Sequence, residues 1–410
     1  MTAEVTRCRV LVLTSTFPRW EGDHEPPFVY ELCRRLARCF DVLVLAPHAA
    51  GAARREIIAG VEVVRFRYFF PKWQKLAYEG GILAKLQRNK WLYLQVPFFF
   101  LFQLLSLMRI MGEKRFDVIH AHWLIPQGLI AVLARFFLRK RLPLLCTSHG
   151  GDLYGLKNAW LIRLKQVVLG RVDALTVVSR SMAEEAVRLG AQEESLHVVS
   201  MGVDACALFT PSEYEARSNH ELLFVGRLVE KKGLAYLFEA MPAILASYPQ
   251  AKLSVVGSGP EEHRLRSLAR ELGISDKVVF EGAIPNVDLP RLYRRATVFV
   301  APSVIAKSGD QEGLGLVLAE ALACECPVVA FDLPAIREVV IDGVTGLTAR
   351  ERDSSDLASK VIKLLDNPDL RKHLAREGRR HVLTRFDWEV ISSRYTRLID
   401  VLAKSCPQEN

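Results

Sequence analysis

Two carboxylates, Glu312 and Glu320, stand eight residues apart in Glu312-Gly313-Leu314-Gly315-Leu316-Val317-Leu318-Ala319-Glu320, and a basic loop, Gly226-Arg227-Leu228-Val229-Glu230-Lys231-Lys232-Gly233, precedes them. If a helix begins near Leu314, eight positions at roughly 1.5 Å and 100° each set the carboxylates about 12 Å apart and about 80° out of line. That is wider than the roughly 5–10 Å over which two carboxylates serve one glycosidic bond. The two acids are therefore expected to hold different parts of one extended ligand, with a helix N-terminus between them. Free backbone N–H groups on Gly313, Leu314 and Gly315 would seat an anion there. Arg227 offers a planar fork for phosphate oxygens and Lys232 a point charge. A diphosphate flanked by a sugar and a ribose would engage all four side chains. Each feature alone also has a plain reading, the acid as a dipole-compatible cap and the basic loop as a solvated turn. Their combination is what points to a ligand.

Other chemistry-bearing groups carry weaker signals. His149 is followed by Gly150-Gly151-Asp152, which places its ring on an open turn. His120-x-His122 resembles half of a metal site, but no third ligand follows at suitable spacing. Gly257-Ser258-Gly259-Pro260 lacks the third glycine of a dinucleotide loop and reads as a strand-to-helix turn. The chain has no G-x-x-x-x-G-K-[ST], no G-x-S-x-G and no D-x-D. With no carboxylate pair for Mg²⁺ or Mn²⁺, Arg227, Lys232 and helix N–H groups would have to neutralise a diphosphate.

The elements that must position these groups follow from hydrophobic pattern. Short aliphatic or β-branched runs alternate with amphipathic stretches, the pattern of parallel sheets covered by helices. Strands are expected at Arg9–Leu13, Asp41–Ala46, Val61–Arg67, Phe116–Ala121, Pro143–Ser148, Ala174–Val178 and Leu196–Val199. A second series runs through Leu222–Val225, Lys252–Val256, Lys277–Phe280, Thr297–Val300 and Pro327–Phe331. Between them, Met201–His220 has no clear period and reads as a linker. The expected architecture is α/β, with two Rossmann-like domains facing each other across a cleft, followed by helices at Asp356–Leu365, Asp369–Arg380 and Trp388–Lys404. In such sheets ligands bind beyond the carboxyl ends of strands, where the histidines, the basic loop and the Glu312 segment all fall.

A chain of 410 residues suggests two domains, and its net charge of +9 suits anionic partners. The eight cysteines show no C-x-x-C, so a reduced compartment is expected, with Cys324 and Cys326 serving packing. The apolar run Val10–Leu13 is too short for a signal-peptide core. From Trp91 to Met108 there is no charged residue. Three readings are open for this run: a buried domain helix, a helix lying in an anionic interface, or a membrane span. Strand-like runs on both sides argue against the span, because they would put one sheet on two sides of a bilayer.

At these residues the chain resembles the family-4 retaining glycosyltransferases of the GT-B fold. The likeness rests on Phe224-Val225-Gly226-Arg227-Leu228, Val256-Gly257-Ser258-Gly259-Pro260, Ala301-Pro302-Ser303, the E-x7-E segment, Asp342-Gly343-Val344-Thr345-Gly346-Leu347, His120-Ala121-His122-Trp123 and Ser148-His149-Gly150-Gly151-Asp152. It implies an acceptor-side domain over residues 1–205, a nucleotide-sugar-binding domain over 206–385, and a last helix, 386–410, returning to the first domain. It implies that Arg227 and Lys232 bind the donor diphosphate, Glu320 the ribose, backbone groups near Ile284 the base, and Glu312 and His149 the transferred sugar, with Asp152 and His122 as further sugar or acceptor contacts. Transfer would retain configuration, by same-face attack through an oxocarbenium-like state, without metal or cofactor. Implied partners are a nucleotide-sugar donor, a saccharide or lipid-linked saccharide acceptor and a peripheral membrane contact, with no nucleic acid. The setting would be cytoplasmic, at the inner face of the membrane, in bacterial exopolysaccharide, capsule or lipopolysaccharide synthesis. Alternatives are a non-catalytic nucleotide-sugar-binding partner of a synthesis complex, or a GT-B epimerase or phosphorylase. The family's Gly-Gly loop after the first strand is replaced by Phe17–Val29 with one glycine, which leaves the first domain's contact with the diphosphate open.

Overall fold

The computed structural model describes residues 7–20, 22–23, 28–78, 81–212 and 217–405. The chain divides into two units, the first comprising Met1–Val178, Met182–Val199 and Ser392–Asn410, the second Ser179–Ser181 and Ser200–Ile391. Within the Phe17–Val29 loop, Glu21 and residues 24–27 lie outside the described residues, as do 213–216 of the linker.

The first unit is built on an eight-stranded sheet: β1 (Arg9–Leu13), β2 (Asp41–Pro47), β3 (Arg55–Ile58), β4 (Val61–Phe66), β5 (Val118–His122), β6 (Leu144–Ser148), β7 (Ala174–Val177) and β8 (Leu196–Val198). Its spatial order is β3-β4-β2-β1-β5-β6-β7-β8, and every pairing is parallel except β3 with β4. Near-continuous apolar runs such as Val10–Leu13, buried on both faces, are what parallel strands require. The edge strand β3 was not expected from sequence. Its residues Arg-Glu-Ile-Ile alternate between exposed and half-buried, so no apolar run announces it.

The uncharged run becomes a short 3₁₀ segment, Lys90–Gln95, leading into a helix, Val96–Glu113. Phe99, Gln103, Leu107, Ile110 and Met111 form its buried face, which packs on β2, β4 and the helix Leu129–Leu138. Phe98, Leu101, Phe102 and Leu105 occupy the opposite face and are exposed. Only 33% of its most apolar window is buried, so the buried-helix reading holds for one face. The packing favours a domain helix over a span, since one face lies against β2, β4 and the helix Leu129–Leu138 of the same unit.

The second unit is a six-stranded parallel sheet of β9 (Glu221–Val225), β10 (Lys252–Val256), β11 (Val278–Gly282), β12 (Val298–Ala301), β13 (Val328–Phe331) and β14 (Leu347–Ala349), in the order β11-β10-β9-β12-β13-β14. Leu222, Phe238, Leu253, Val298 and Phe331 are fully buried in its core. The C-terminal helices run over Ser354–Asp366, Pro368–Arg385 and Trp388–Ser405, each slightly longer than expected. The last begins in the second unit, where Trp388 lies against Gly202, and its residues from Ser392 onward belong to the first, where Tyr395 is fully buried.

Candidate functional site

In the second sheet the strand order reverses between β9 and β12, and a crevice opens at such a point beyond the carboxyl ends of the strands. The loop after β9 carries Gly226–Gly233, and the loop after β12 carries Glu312, so the two predicted halves of the ligand site emerge at the switch point. Backbone contacts tie the first of these loops to the loop after β10 and to the second. Gly226 N–H donates to the Val256 carbonyl and Leu228 N–H to the Ser258 carbonyl, both at 3.0 Å, while Val304 N–H donates to the Lys231 carbonyl at 2.8 Å. Two glycines permit this closeness. A Cβ on Gly233, whose φ is +63°, would sit 1.8 Å from the Pro302 carbonyl oxygen, and one on Gly257 (φ +127°) would sit 1.9 Å from that of Gly226.

Lys232 Nζ lies 2.6 Å from Glu312 Oε2, each side chain being only 15% exposed. Lys231 makes a more open pair with Asp310 at 3.1 Å. Burial pushes the Glu312 carboxyl up, but the charges of Lys232 and Lys231 and the Lys232 hydrogen bond outweigh it, and its pKa falls below the ordinary carboxylate value. Glu312 is thus held as an anion beside a cation. Arg227 stands exposed on the same loop.

Glu320 has the opposite electrostatics. It is buried, and burial raises its pKa despite hydrogen bonds from Tyr293 and Asn286. The Tyr293 hydroxyl donates to Oε2 at 3.0 Å and the Asn286 amide to Oε1 at 3.5 Å. Asn286 lies two residues beyond Ile284, which is half-buried just after β11. The structure therefore brings the predicted ribose and base residues together through a side chain that sequence reasoning missed. No local spacing signals Tyr293 or Asn286, since each meets Glu320 only through the fold.

The helix carrying Glu320 starts at Leu316, with Gly315 at its N-cap in the left-handed region (φ +85°). The expected start near Leu314 is corrected by two residues. Only Leu316–Glu320 of the interval is helical, so the estimate of about 12 Å, which assumed helix throughout, does not apply. The unbonded end of the helix shifts to the amides at Leu316 and Val317, while the Leu314 side chain is buried in the unit's core.

In the first unit, His120 and His122 end β5 on one face of the sheet, two residues apart, with ring centroids 4.3 Å apart. Both are fully buried. His122 Nδ1 lies 3.0 Å from His149 Nε2, and the His149 ring is flanked by Phe28 and Trp123 at 4.9 and 5.0 Å. On the other side, His120 Nε2 meets Thr147 Oγ1 at 2.8 Å, Thr147 meets Thr176 at 2.5 Å, and Thr176 meets the Tyr395 hydroxyl at 3.4 Å. Burial drives the pKa of His120 down to about 3; burial and then the charge of His120 do the same for His149. His122 is lowered by burial as well. The cluster is neutral at physiological pH.

Asp152 is buried and braces the turn that presents His149. Its Oδ2 accepts from Leu124 N–H at 2.7 Å, and Oδ1 accepts from the Ser148 hydroxyl at 2.8 Å and from His149 N–H at 3.3 Å. Burial raises its pKa against those hydrogen bonds. Asp152 and His122, expected as sugar or acceptor contacts, are both buried and each bonds to His149. Both stand behind His149 and hold it in place. Cys324 and Cys326 are buried and free, in keeping with a packing role.

Residues 27–205 match the family described as Glycosyltransferase Family 4, and residues 212–381 match Glycosyl transferases group 1. The chain is 30% identical over 286 residues to a glycogen synthase of Mycobacterium tuberculosis, covering 68% of this chain and 67% of that one. It is 28% identical over 305 residues, 71% of this chain and 78% of the other, to a GDP-mannose-dependent alpha-(1-6)-phosphatidylinositol monomannoside mannosyltransferase of Mycolicibacterium smegmatis. The solved structure of Anabaena Alr3699/HepE in complex with UDP-glucose superimposes with a TM-score of 0.72 at 17% identity, over 96% of this chain and 99% of that one.

Proposed function

The chain belongs to the family-4 glycosyltransferases and has the GT-B fold, and from that premise we propose that it moves a sugar from a nucleoside-diphosphate sugar to a saccharide or lipid-linked saccharide, with retention of configuration. The observation that carries this reading is the Lys232–Glu312 pair on the two loops that meet at the β9/β12 switch point. Arg227 and Lys232 take the diphosphate, assisted by the amides at the start of the Leu316 helix. Glu320, backed by Tyr293, accepts the ribose hydroxyls, and backbone groups near Ile284 meet the base. Glu312 and His149 contact the transferred sugar.

In the reaction, the bond from the anomeric carbon to the diphosphate oxygen breaks and its electron pair goes to that oxygen. Arg227 and Lys232 stabilise the charge growing there, which is where preorganised cations lower a barrier most. The acceptor hydroxyl attacks from the face the diphosphate leaves, and its proton passes to the departing phosphate. The charge is balanced by side chains and backbone amides, with no metal or cofactor in the scheme. The GDP-mannose dependence of one relative and the UDP-glucose bound to a structural neighbour support this donor class. The setting we propose is the cytoplasm, in the assembly of a bacterial surface polysaccharide.

A thermal-shift panel of nucleotide sugars identifies the donor, because bound ligand raises stability by mass action. With that donor and saccharide acceptors, the product should keep the donor's anomeric configuration. Glu312→Ala is expected to remain folded and lose transfer. Undiminished turnover in that variant, or an inverted product, would overturn the reading.

A further inference from the structure

The helix Val96–Glu113 gives one face to the sheet and leaves the other uncovered. Phe98, Leu101, Phe102 and Leu105, at i, i+3, i+4 and i+7, line that face at 40–50% exposure. The stripe continues backward into the 3₁₀ segment, where Trp91, Tyr93 and Leu94 are 80%, 57% and 62% exposed. A second element joins it from a distant part of the sequence. The turn at Phe70–Trp73 projects Phe70 (70% exposed) and Trp73 (62%), and Phe69 bridges to the helix with its ring 5.7 Å from that of Phe98. Gln95 fixes the two elements together, donating to the Trp73 carbonyl at 2.7 Å and accepting from Lys75 N–H at 3.3 Å. Gln95, polar within an uncharged run, is therefore the clasp that makes the surface one piece.

The chemistry of the rim selects the occupant. Between Arg67 and Lys90 the basic residues are Arg67, Lys72, Lys75, Lys85, Arg88 and Lys90, against the single acid Glu79, while Arg109 farther along the helix is paired with Glu113. Arg67, Lys72, Lys75, Arg88 and Lys90 are exposed. A protein-binding face would be expected to mix charges around its apolar centre. Aromatic and aliphatic side chains bordered by one sign of charge fit a bilayer, where Trp and Tyr sit at headgroup depth and Lys and Arg meet anionic headgroups. We propose that this surface, built from Phe69–Trp73 and Trp91–Leu105, docks the protein on an anionic lipid bilayer as a peripheral, non-spanning contact. The assignment does not depend on the transfer reading. It would place the first unit on the membrane whatever sugar is moved.

Co-sedimentation of the full chain with vesicles tests it. The protein should bind vesicles of phosphatidylcholine mixed with phosphatidylglycerol and release progressively as salt is added. Lys72→Gln, Arg88→Gln and Lys90→Gln combined should weaken binding about fivefold per charge removed and flatten the salt dependence. Phe98→Ser, Leu101→Ser and Leu105→Ser combined should lower binding by at least about tenfold even at low salt. These positions are exposed, so unfolding is not expected, and the thermal shift caused by the nucleotide-sugar donor should be unchanged in both variants. A wild-type protein that stays in the supernatant with anionic vesicles, or variants that bind as well as wild type, would overturn the proposal. So would a concentration-dependent dimer that the serine variant dissolves, since a second copy would then cover this face. Failure of transfer with intact vesicle binding would count against the enzymatic reading alone.

Discussion

The switch-point loops of the second unit and the histidine cluster of the first sit at equivalent places, beyond the carboxyl ends of parallel strands, yet they solve opposite electrostatic problems. The former keeps charges: Lys232 with Glu312 and Lys231 with Asp310, partly open to water. The latter suppresses charge by burying His120 and His122 completely, with their rings 4.3 Å apart and His122 stacked on His149. A diphosphate calls for the first kind of surface, and a neutral polyol for the second. The same sheet topology therefore supplies a polar rim whose character is set by which side chains end the strands.

Acidification should separate the two regions most strongly. Histidines with pKa values lowered by folding contribute stability that is full above their unfolded value, near 6.5, and is lost as pH falls toward the folded value. Such a group costs about 1.4 kcal/mol per pH unit in that window, so His120 alone should cost roughly 2 kcal/mol between pH 6.5 and 5, with His122 adding in the same direction. Glu312 is lowered too, but as a carboxylate its contribution is lost only below about pH 4.5. Hydrogen exchange at pH 5 should then show the first unit opening before the second. Simultaneous opening would break the contrast.

Next in size, Lys232→Ala should reduce turnover about 10²–10³-fold, the range for losing one donor to a developing oxyanion. It also leaves Glu312 partly buried without its Lys232 hydrogen bond, so Lys232→Ala with Glu312→Gln should recover stability without recovering rate. A double variant as slow but no more stable would show that the pair's charges are not coupled in the free protein. Tyr293→Phe removes the hydrogen bond that restrains the raised pKa of Glu320 and should cost about 1–2 kcal/mol, read as weaker nucleotide binding with little change in turnover at saturating donor. The smallest expected effect is in the neutral cluster. Thr176→Val interrupts the Thr147–Thr176–Tyr395 chain and should cost about 1 kcal/mol in a urea titration, leaving nucleotide binding untouched.

Much of this arrangement was readable from residue order. The strands of both sheets announce themselves as aliphatic runs, because a strand buried on both faces has nowhere to place a polar residue. The exceptions are edge strands: Arg55–Ile58 has an exposed side and Leu347–Ala349 is only three residues long. The Glu312 and Lys232 loops were legible as a pair because glycines and charges concentrate there. Their direct contact was not, since it depends on β9 lying beside β12 across a stretch of chain that contains two other strands. The misplaced helix start has a local cause, Gly315 taking a left-handed conformation where a regular helix had been extrapolated. His122 behind His149 required the β5–β6 register, in which His122 aligns with Thr147, before a turn two residues on could bring the two rings together.

The Lys232–Glu312 contact also bears on how long a nucleotide stays. An ammonium group that already has a carboxylate partner 2.6 Å away does not meet an incoming diphosphate as an unsatisfied ion. If Lys232 takes the diphosphate as proposed, Glu312 is a resident competitor that lowers the net gain from the phosphate while keeping the lysine's rotamer fixed in advance. After the sugar has left, the same carboxylate stands ready to reclaim the lysine. On the proposed reading, a spent nucleoside diphosphate, which carries more charge than the donor, would then face a rival for Lys232 and would leave more readily.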